Sequence, residues 1–377
     1  MTTRTELLVP RQSTPTRLNT PYLELNLDVA IERLTQLRLA LPDSKVHYAV
    51  KANPHPALLA ALSDSGASFD VASPNEVRAA LSAGAKPSAL VYSNPIKRAD
   101  HIAEAHALGV RLFVADSLNE VRKLATYAPG SALLVRITTS GAGSDWPLSL
   151  KYGCSPEQAI EFLTLAERLG LEAAGVSFHV GSQQRDPRAW AAPIADAAAI
   201  FTALRERGLS PWLLDLGGGF PAEHQGNSSH PSAYGEAIAA ALIDCFRVDQ
   251  PRTLIEPGRG IVGDAGTVVS TVVEVVERGD GRWVFVDAGI FTGMVECLDE
   301  AIRYRLSTSA IGPTGPCILA GPTCDSADVL YRHDPVELPL SLRAGDTVRF
   351  HSAGAYTACY STIGFNGFAP MSVRLVN

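Results

Sequence analysis

Residues 46–84 read VHYAVKANPHPALLAALSDSGASFDVASPNEVRAALSAG. Two short apolar runs, Val46–Lys51 and Ser68–Ser73, are each followed by a stretch with helical spacing, Pro56–Asp64 and Pro74–Ala83. The runs lack strict alternation, as strands buried on both faces do. Each helical stretch opens on a proline and closes at a glycine, Gly66 or Gly84, the residues that start and stop helices. The unit repeats outward. Further runs lie at Leu90–Asn94, Arg111–Asp116, Leu133–Ile137, Gly175–Gly181, Trp212–Gly219 and Thr253–Arg259. Between them stand Arg98–Leu108, Leu118–Ala128, Pro156–Leu169, Ala189–Arg207 and Ser232–Phe246, and Leu27–Ala40 precedes the first strand. Eight such units predict a closed (β/α)8 barrel over residues 26–260. A doubly wound open sheet is the alternative; the count and the missing G-x-G-x-x-G after the first strand favour the barrel.

Beyond Gly260 the texture changes. Val268–Glu277, Trp283–Asp287, Cys317–Ala320 and Thr347–His351 read as strands joined by turn residues at 278–282 and 343–346. A second, mostly antiparallel β-domain is expected from residues 261–377, joined by the Pro-rich, extended residues 1–25.

Composition bounds the function. In 377 residues, 46% hydrophobic and 19% charged exclude a disordered chain. A net charge of −7 offers nothing to neutralise phosphates, so nucleic acid is not an expected partner. No apolar run is long enough for a membrane span, and the N-terminus lacks a secretory pattern. The six cysteines form no C-x-x-C pair, which argues against a metal site and for reduced thiols in the cytoplasm. Of 32 basic residues only six are lysine: Lys45, Lys51, Lys86, Lys97, Lys123 and Lys151. Codon usage accounts for most of them.

In a barrel, chemistry gathers where strands end. These ends carry Lys51, Asp70 with Ser73 and Glu76, Ser93-Asn94, Arg136, His179 with Ser182, Asp215 with Gly217-Gly218-Gly219, and Glu256 with Gly258-Arg259. A lysine behind a buried strand tends to shed its proton, which imine chemistry requires. Three glycines let backbone N–H groups close on an anion, and Gly258-Arg259 clears space for the same ligand. His179 can stack on a ring, and Glu256 can hold a proton on a ring nitrogen.

These motifs are Tyr48-Ala-Val-Lys51-Ala-Asn53, Phe69-Asp70-Val-Ala-Ser73, Ser177-Phe-His179-Val-Gly-Ser182, Asp215-Leu-Gly-Gly-Gly-Phe-Pro221, Glu256-Pro-Gly-Arg259, Gly321-Pro-Thr-Cys324-Asp325 and Gly354-Ala-Tyr356. Together they resemble the fold-type III, pyridoxal phosphate-dependent basic amino acid decarboxylases, the eukaryotic-type ornithine decarboxylase family with its bacterial ornithine/lysine members. The resemblance covers nearly the whole chain. It implies an alanine racemase-like α/β fold, a TIM-like barrel with a C-terminal β-domain, and pyridoxal 5'-phosphate as cofactor. It implies that Lys51 bonds the cofactor, His179 stacks on its ring and Glu256 meets its ring nitrogen. Ser182, Gly217, Gly218, Gly219, Gly258, Arg259 and Tyr356 would cradle the phosphate, with Asp70, Glu76 and Arg136 around Lys51. Cys324, a proton donor, and Asp325, a ligand for the substrate's distal amine, would come from the second subunit of a homodimer. Lys151 resembles a lysine that pairs with the Asp of Cys324-Asp-Ser-Ala-Asp328 across that dimer. Asp299 or Glu296 would complete the distal-amine site, with Tyr356 beside the substrate.

The implied reaction is decarboxylation of L-ornithine to putrescine, with L-lysine or dual use as the alternative. Diaminopimelate decarboxylases carry Cys-Glu-Ser where this chain has Cys324-Asp-Ser, which favours a simple diamino acid. Amino-acid racemases resemble the chain around Val50-Lys-Ala-Asn53 but set an arginine against the ring nitrogen; Glu256 and Cys324 oppose that reading. Non-catalytic regulators of this fold have usually lost cofactor residues, whereas Lys51, His179, Glu256 and Arg259 are all present.

Overall fold

The computed structural model describes residues 19–146, 151–225, 228–247 and 249–377. Eight strands close into a barrel: Ser44–Ala49, Ser68–Val71, Leu90–Tyr92, Leu112–Ala115, Ala132–Arg136, Glu172–Ser177, Leu213–Asp215 and Arg252–Ile255. Every neighbouring pair is parallel, and the last strand returns to the first through Thr253 opposite Ser44 and Ile255 opposite Val46. The open sheet is thereby excluded.

The helices begin where their caps dictate. Ser73 accepts from Glu76 N, Ser117 from Glu120 N, and Ser155 forms a capping box with Gln158. Prolines stand in the first turns of Pro56–Asp64, Pro74–Ser82, Pro156–Arg168 and Pro231–Phe246.

The expected strands overran at their C-terminal ends. The ladders stop at Ser177, Asp215 and Ile255 rather than at Gly181, Gly219 and Arg259. The reason is burial: Phe178, Val180 and Leu216 sit in loops yet are at most 2% exposed, so apolar character continues past the last hydrogen-bonded pair.

Beside the barrel lies an eight-stranded sheet. Its main path runs Arg305–Thr308, Thr347–His351, Gly266–Arg278, Gly281–Val286, Thr314–Ala320, Val329–Pro339. Tyr22–Asn26 pairs antiparallel with Gly266–Arg278 and parallel with Ser372–Val376. Most pairs are antiparallel; Gly281–Val286 with Thr314–Ala320 is the other parallel pair. Three of these strands, 305–308, 329–339 and 372–376, had no counterpart in the sequence reading. The second carries Arg332, His333 and Asp334 at its exposed centre, which hides its apolar ends. Residues 1–18, expected to join this sheet, lie outside the described residues. No described helix is long and apolar enough to cross a membrane.

Barrel and sheet meet at Gly354. Its carbonyl accepts from Asn53 Nδ2 at 2.9 Å and its N–H donates to Gly263 at 2.9 Å. A Cβ there would stand 1.9 Å from Val262 O, so only glycine fits. Two residues on, Tyr356 N–H donates to Ala52 O at 2.8 Å. The sheet's loop is thus tied to the turn that carries Lys51.

Candidate active site

At the C-terminal mouth of the barrel lies a cavity of about 390 Å³. It is lined by Lys51, Arg136, His179, Ser182, Gly219, Glu256, Gly258, Arg259, Glu296 and Tyr356 from the sequence expectation. Gly217 and Gly218 pack behind it. A Cβ on Gly218 would stand 3.0 Å from His179 Nε2 and 2.7 Å from Glu256 O, and Gly217 has φ +67°.

Lys51 corrects an expectation. It sits on a 3-10 turn, Val50–Ala52, rather than on the strand, and its side chain is 44% exposed to the cavity. Burial works to strip its proton. Asp70, which pairs directly with Nζ, then Tyr356 and Glu256, overrule that and raise its pKa. That direction is opposite to the easy proton loss expected from sequence, and its chief cause is Asp70, paired directly with Nζ.

The carboxylates around it are crowded. Burial, then Asp215 and Asp70, hold the Glu256 carboxyl well above the usual range; the Ser93 hydroxyl donates to it. Burial likewise raises Asp215, against hydrogen bonds from Gly217 N–H at 2.8 Å and Ser177 Oγ at 3.0 Å. Glu76 is pushed up to about 7, chiefly by burial. Asp70 Oδ1 is buried without a partner. Such crowding marks a site built for a cation that completes it.

Burial, then the charges of Arg136 and Lys51, hold the His179 ring well below its ordinary value, so it is neutral. Its Nδ1 accepts from Gly181 N–H at 3.0 Å, which assigns the proton to Nε2. A neutral imidazole is suited to lie against an aromatic face.

Arg259 shows the opposite demand. It is buried; Nη2 reaches Glu296 at 2.6 Å and Ser182 Oγ at 3.3 Å. Its Nε and Nη1 are buried with no partner. Unpaired guanidinium N–H groups beside a cavity call for an anion. Ser182, the Tyr356 ring 5.0 Å from the guanidinium, and Gly258 surround the same point. The donor set fits pyridoxal phosphate: acceptors for a protonated ring nitrogen, donors for a phosphate, an amine within the cavity.

Several expected residues fall elsewhere. Asp299 is exposed, at φ +53°, where the Val295–Glu300 segment kinks, and does not line the cavity; Glu296 does. Cys324 and Asp325 are exposed and outside the cavity of their own chain. Asn366 Nδ2 donates to Cys324 Sγ at 3.0 Å. Asp328 is buried and accepts from Ile290 N, Thr323 N and Thr323 Oγ1. Of the two acids in that run, only Asp325 is open to a partner such as Lys151. Ser93 and Asp215 stand at strand ends without an expected role. Tyr360, one turn after Tyr356, and Trp146 and Tyr152, which no local pattern marks, also line the cavity; Tyr152 lies 5.5 Å from the Arg136 guanidinium.

Comparison with known proteins agrees with this chemistry. The family model described as pyridoxal-dependent decarboxylase, pyridoxal binding domain, matches residues 27–263. The lysine/ornithine decarboxylase of Selenomonas ruminantium is 35% identical over 355 residues, 93% of this chain and 88% of the relative. The ornithine decarboxylase of Schizosaccharomyces pombe is 34% identical over 361 residues, 92% of this chain and 81% of the relative. The structure of the Vibrio vulnificus lysine/ornithine decarboxylase complexed with putrescine superposes with a TM-score of 0.86 at 35% identity, covering 95% of this chain and 94% of that one.

The raised carboxyl of Glu256 makes a stability prediction. Below the ordinary carboxylate range it is protonated folded or unfolded. As pH rises, the unfolded chain ionises while the folded one resists, so stability is lost toward alkaline pH. Glutamine has no such loss. Freed of cofactor, the margin by which Glu256→Gln melts above wild type should widen by about 3 °C or more between pH 5.5 and pH 8. Calorimetry at both pH values checks this; an equal or narrower margin at pH 8 contradicts it.

Proposed function

The chain belongs to the pyridoxal-dependent decarboxylase family, a carboxy-lyase with pyridoxal 5'-phosphate as cofactor, and from that premise we propose that it takes CO₂ from L-ornithine to give putrescine, with L-lysine to cadaverine as the alternative. The observation that carries this reading is Glu256, a buried carboxyl in the cavity with Ser93 donating to it. A carboxylate at that point keeps a ring nitrogen protonated; an arginine there would favour racemisation.

When bound, the cofactor supplies a cationic conjugated ring that takes up the electron pair left by departing CO₂. The chain's own groups do the rest. Lys51 Nζ is the amine that would tether the cofactor, with Asp70 adjacent to take its proton. Arg259 Nε and Nη1, with Ser182 and Tyr356, would hold the phosphate. His179 would present its neutral face to the ring. Glu256 would hold the ring nitrogen's proton, while Arg136, Asp70 and Asp215 would set the surrounding charge.

The remaining step is a proton returned to Cα. Cys324 is the proposed donor, because a thiol is acidic enough to give its proton to a carbanion. Because Cys324 and Asp325 are exposed and lie outside their own chain's cavity, they serve the cavity of a second copy in a homodimer. Tyr360, Ile363, Phe365 and Phe368 are 50%, 88%, 36% and 39% exposed around Asn366, an apolar patch that a second copy would cover. Asp325 from one copy and Glu296 from the other hold the substrate's distal ammonium.

Two experiments test this. In a panel of ornithine, lysine, arginine, 2,4-diaminobutyrate and diaminopimelate, CO₂ release should be fastest with ornithine, and lysine should follow. A D-amino acid product without CO₂, or no turnover of any of them, contradicts it. Lys51→Ala and Cys324→Ala should each be inactive alone. Mixed and allowed to exchange subunits, they should recover about a quarter of wild-type activity, since half the dimers carry one intact site. No recovery removes the shared site.

A further inference from the structure

Codon usage does not explain Lys97. Its side chain is 0% exposed, and a buried ammonium is strongly unfavourable unless every proton is satisfied. Here it is. Nζ donates to Val114 O at 2.6 Å, Asn94 O at 2.9 Å and Pro95 O at 3.3 Å, and pairs with Glu120 at 3.0 Å. The Tyr92 ring lies 5.6 Å away. The backbone joins in: Lys97 N–H donates to Glu120 Oε1 at 3.0 Å, and Lys123 Nζ donates to Lys97 O. Glu120 is itself held by Lys123 at 2.6 Å and sits in the first turn of Leu118–Tyr127, where a helix favours a negative charge. Burial draws the ammonium down to about 8 while Glu120 and Asp116 pull upward and Lys123 pulls downward.

The acceptors give this cluster a direction. Val114 belongs to the barrel wall; Asn94 and Pro95 belong to the loop that lines the cavity. Directly before them is Ser93, whose hydroxyl donates to the Glu256 carboxylate. We propose that Lys97 is a positioning residue for Glu256: it clamps the Ser93–Pro95 loop to the barrel wall and so keeps the Ser93 hydroxyl on the Glu256 carboxylate. The inference rests on the reading of Glu256 as the partner of the cofactor's ring nitrogen. A donated hydroxyl favours the ionised carboxylate, against burial and the charges of Asp215 and Asp70. If the loop slips, Glu256 takes up a proton and no longer answers the ring's charge. Arginine could not substitute for Lys97, because a planar fork does not match carbonyls gathered around one point.

A double-mutant cycle on the holoenzyme tests the proposal. Ser93→Ala, Lys97→Met and the double variant are compared with wild type for kcat, KM and the cofactor's absorption spectrum, which reports ring protonation. Each single variant should lower kcat ~10-fold or more with KM changed less than about threefold. Their spectra should shift in the same sense, and the double variant should be no worse than the weaker single. Losses that multiply overturn the proposal, as does a folded Lys97→Met with wild-type kcat and spectrum. Glu120→Gln is the gentler second variant should Lys97→Met not fold. It should shift kcat and spectrum in the same direction and add nothing to Ser93→Ala; wild-type behaviour overturns the clamp. A wild-type protein that binds cofactor but releases no CO₂ refutes the functional reading instead, and the spectra alone then decide on Lys97.

Discussion

At the C-terminal end of the barrel, burial together with Asp70 raises the proton affinity of Asp215, and burial together with Asp215 and Asp70 raises that of Glu256. The same cavity holds Arg259 with two buried, unpaired nitrogens. These are opposite demands on one ligand: a cationic ring at the carboxylates and an anionic tail at the guanidinium. Much of the surrounding structure serves to hold these charges in place. A Cβ at Gly218 would press on His179 and Glu256, one at Gly258 on Ala52 and Tyr356, and one at Gly217 on the Phe178 carbonyl behind the site. The Asn53–Gly354 and Ala52–Tyr356 hydrogen bonds bring the sheet's loop to the barrel mouth. A neutral His179 adds no charge of its own.

An arrangement of this kind is unfavourable without its ligand. Like charges out of water cost several kcal/mol unless a counter-charge completes them. A bound dipolar cofactor relieves both ends at once and stabilises the fold through mass action. The barrel tolerates the strain because its apolar layers are continuous beneath the site, where Val91, Val114, Leu134, Ala174, Leu213 and Leu254 pack together.

Most of the fold is legible in the sequence, because local chemistry and burial agree there. The helices 27–40 and 56–64 begin and end where proline, caps and spacing predict. Strand ends are blurred because the loops after them are as buried as the strands. The sheet is harder to read, since strands such as 329–339 have charged, exposed centres. At the site, residues at strand ends declare themselves by type: Lys51, His179, Glu256, Arg259. Others are fixed only by three-dimensional context. Glu296 and Asp299 are three residues apart and chemically alike; a kink buries one and exposes the other. The protonation of Lys51 depends on Asp70, Tyr356 and Glu256, and Lys97 reveals its place only through carbonyls from two different strands' surroundings.

The proposed tether is Lys51, which shares one cavity with the Arg259 anion cradle and Glu256. Borohydride reduction of the holoenzyme followed by peptide mass analysis tests it most directly. The predicted result is a single phosphopyridoxyl adduct on the peptide containing Lys51, lost when Arg259 is replaced by alanine at limiting cofactor. An adduct on another lysine, or none, would contradict the account.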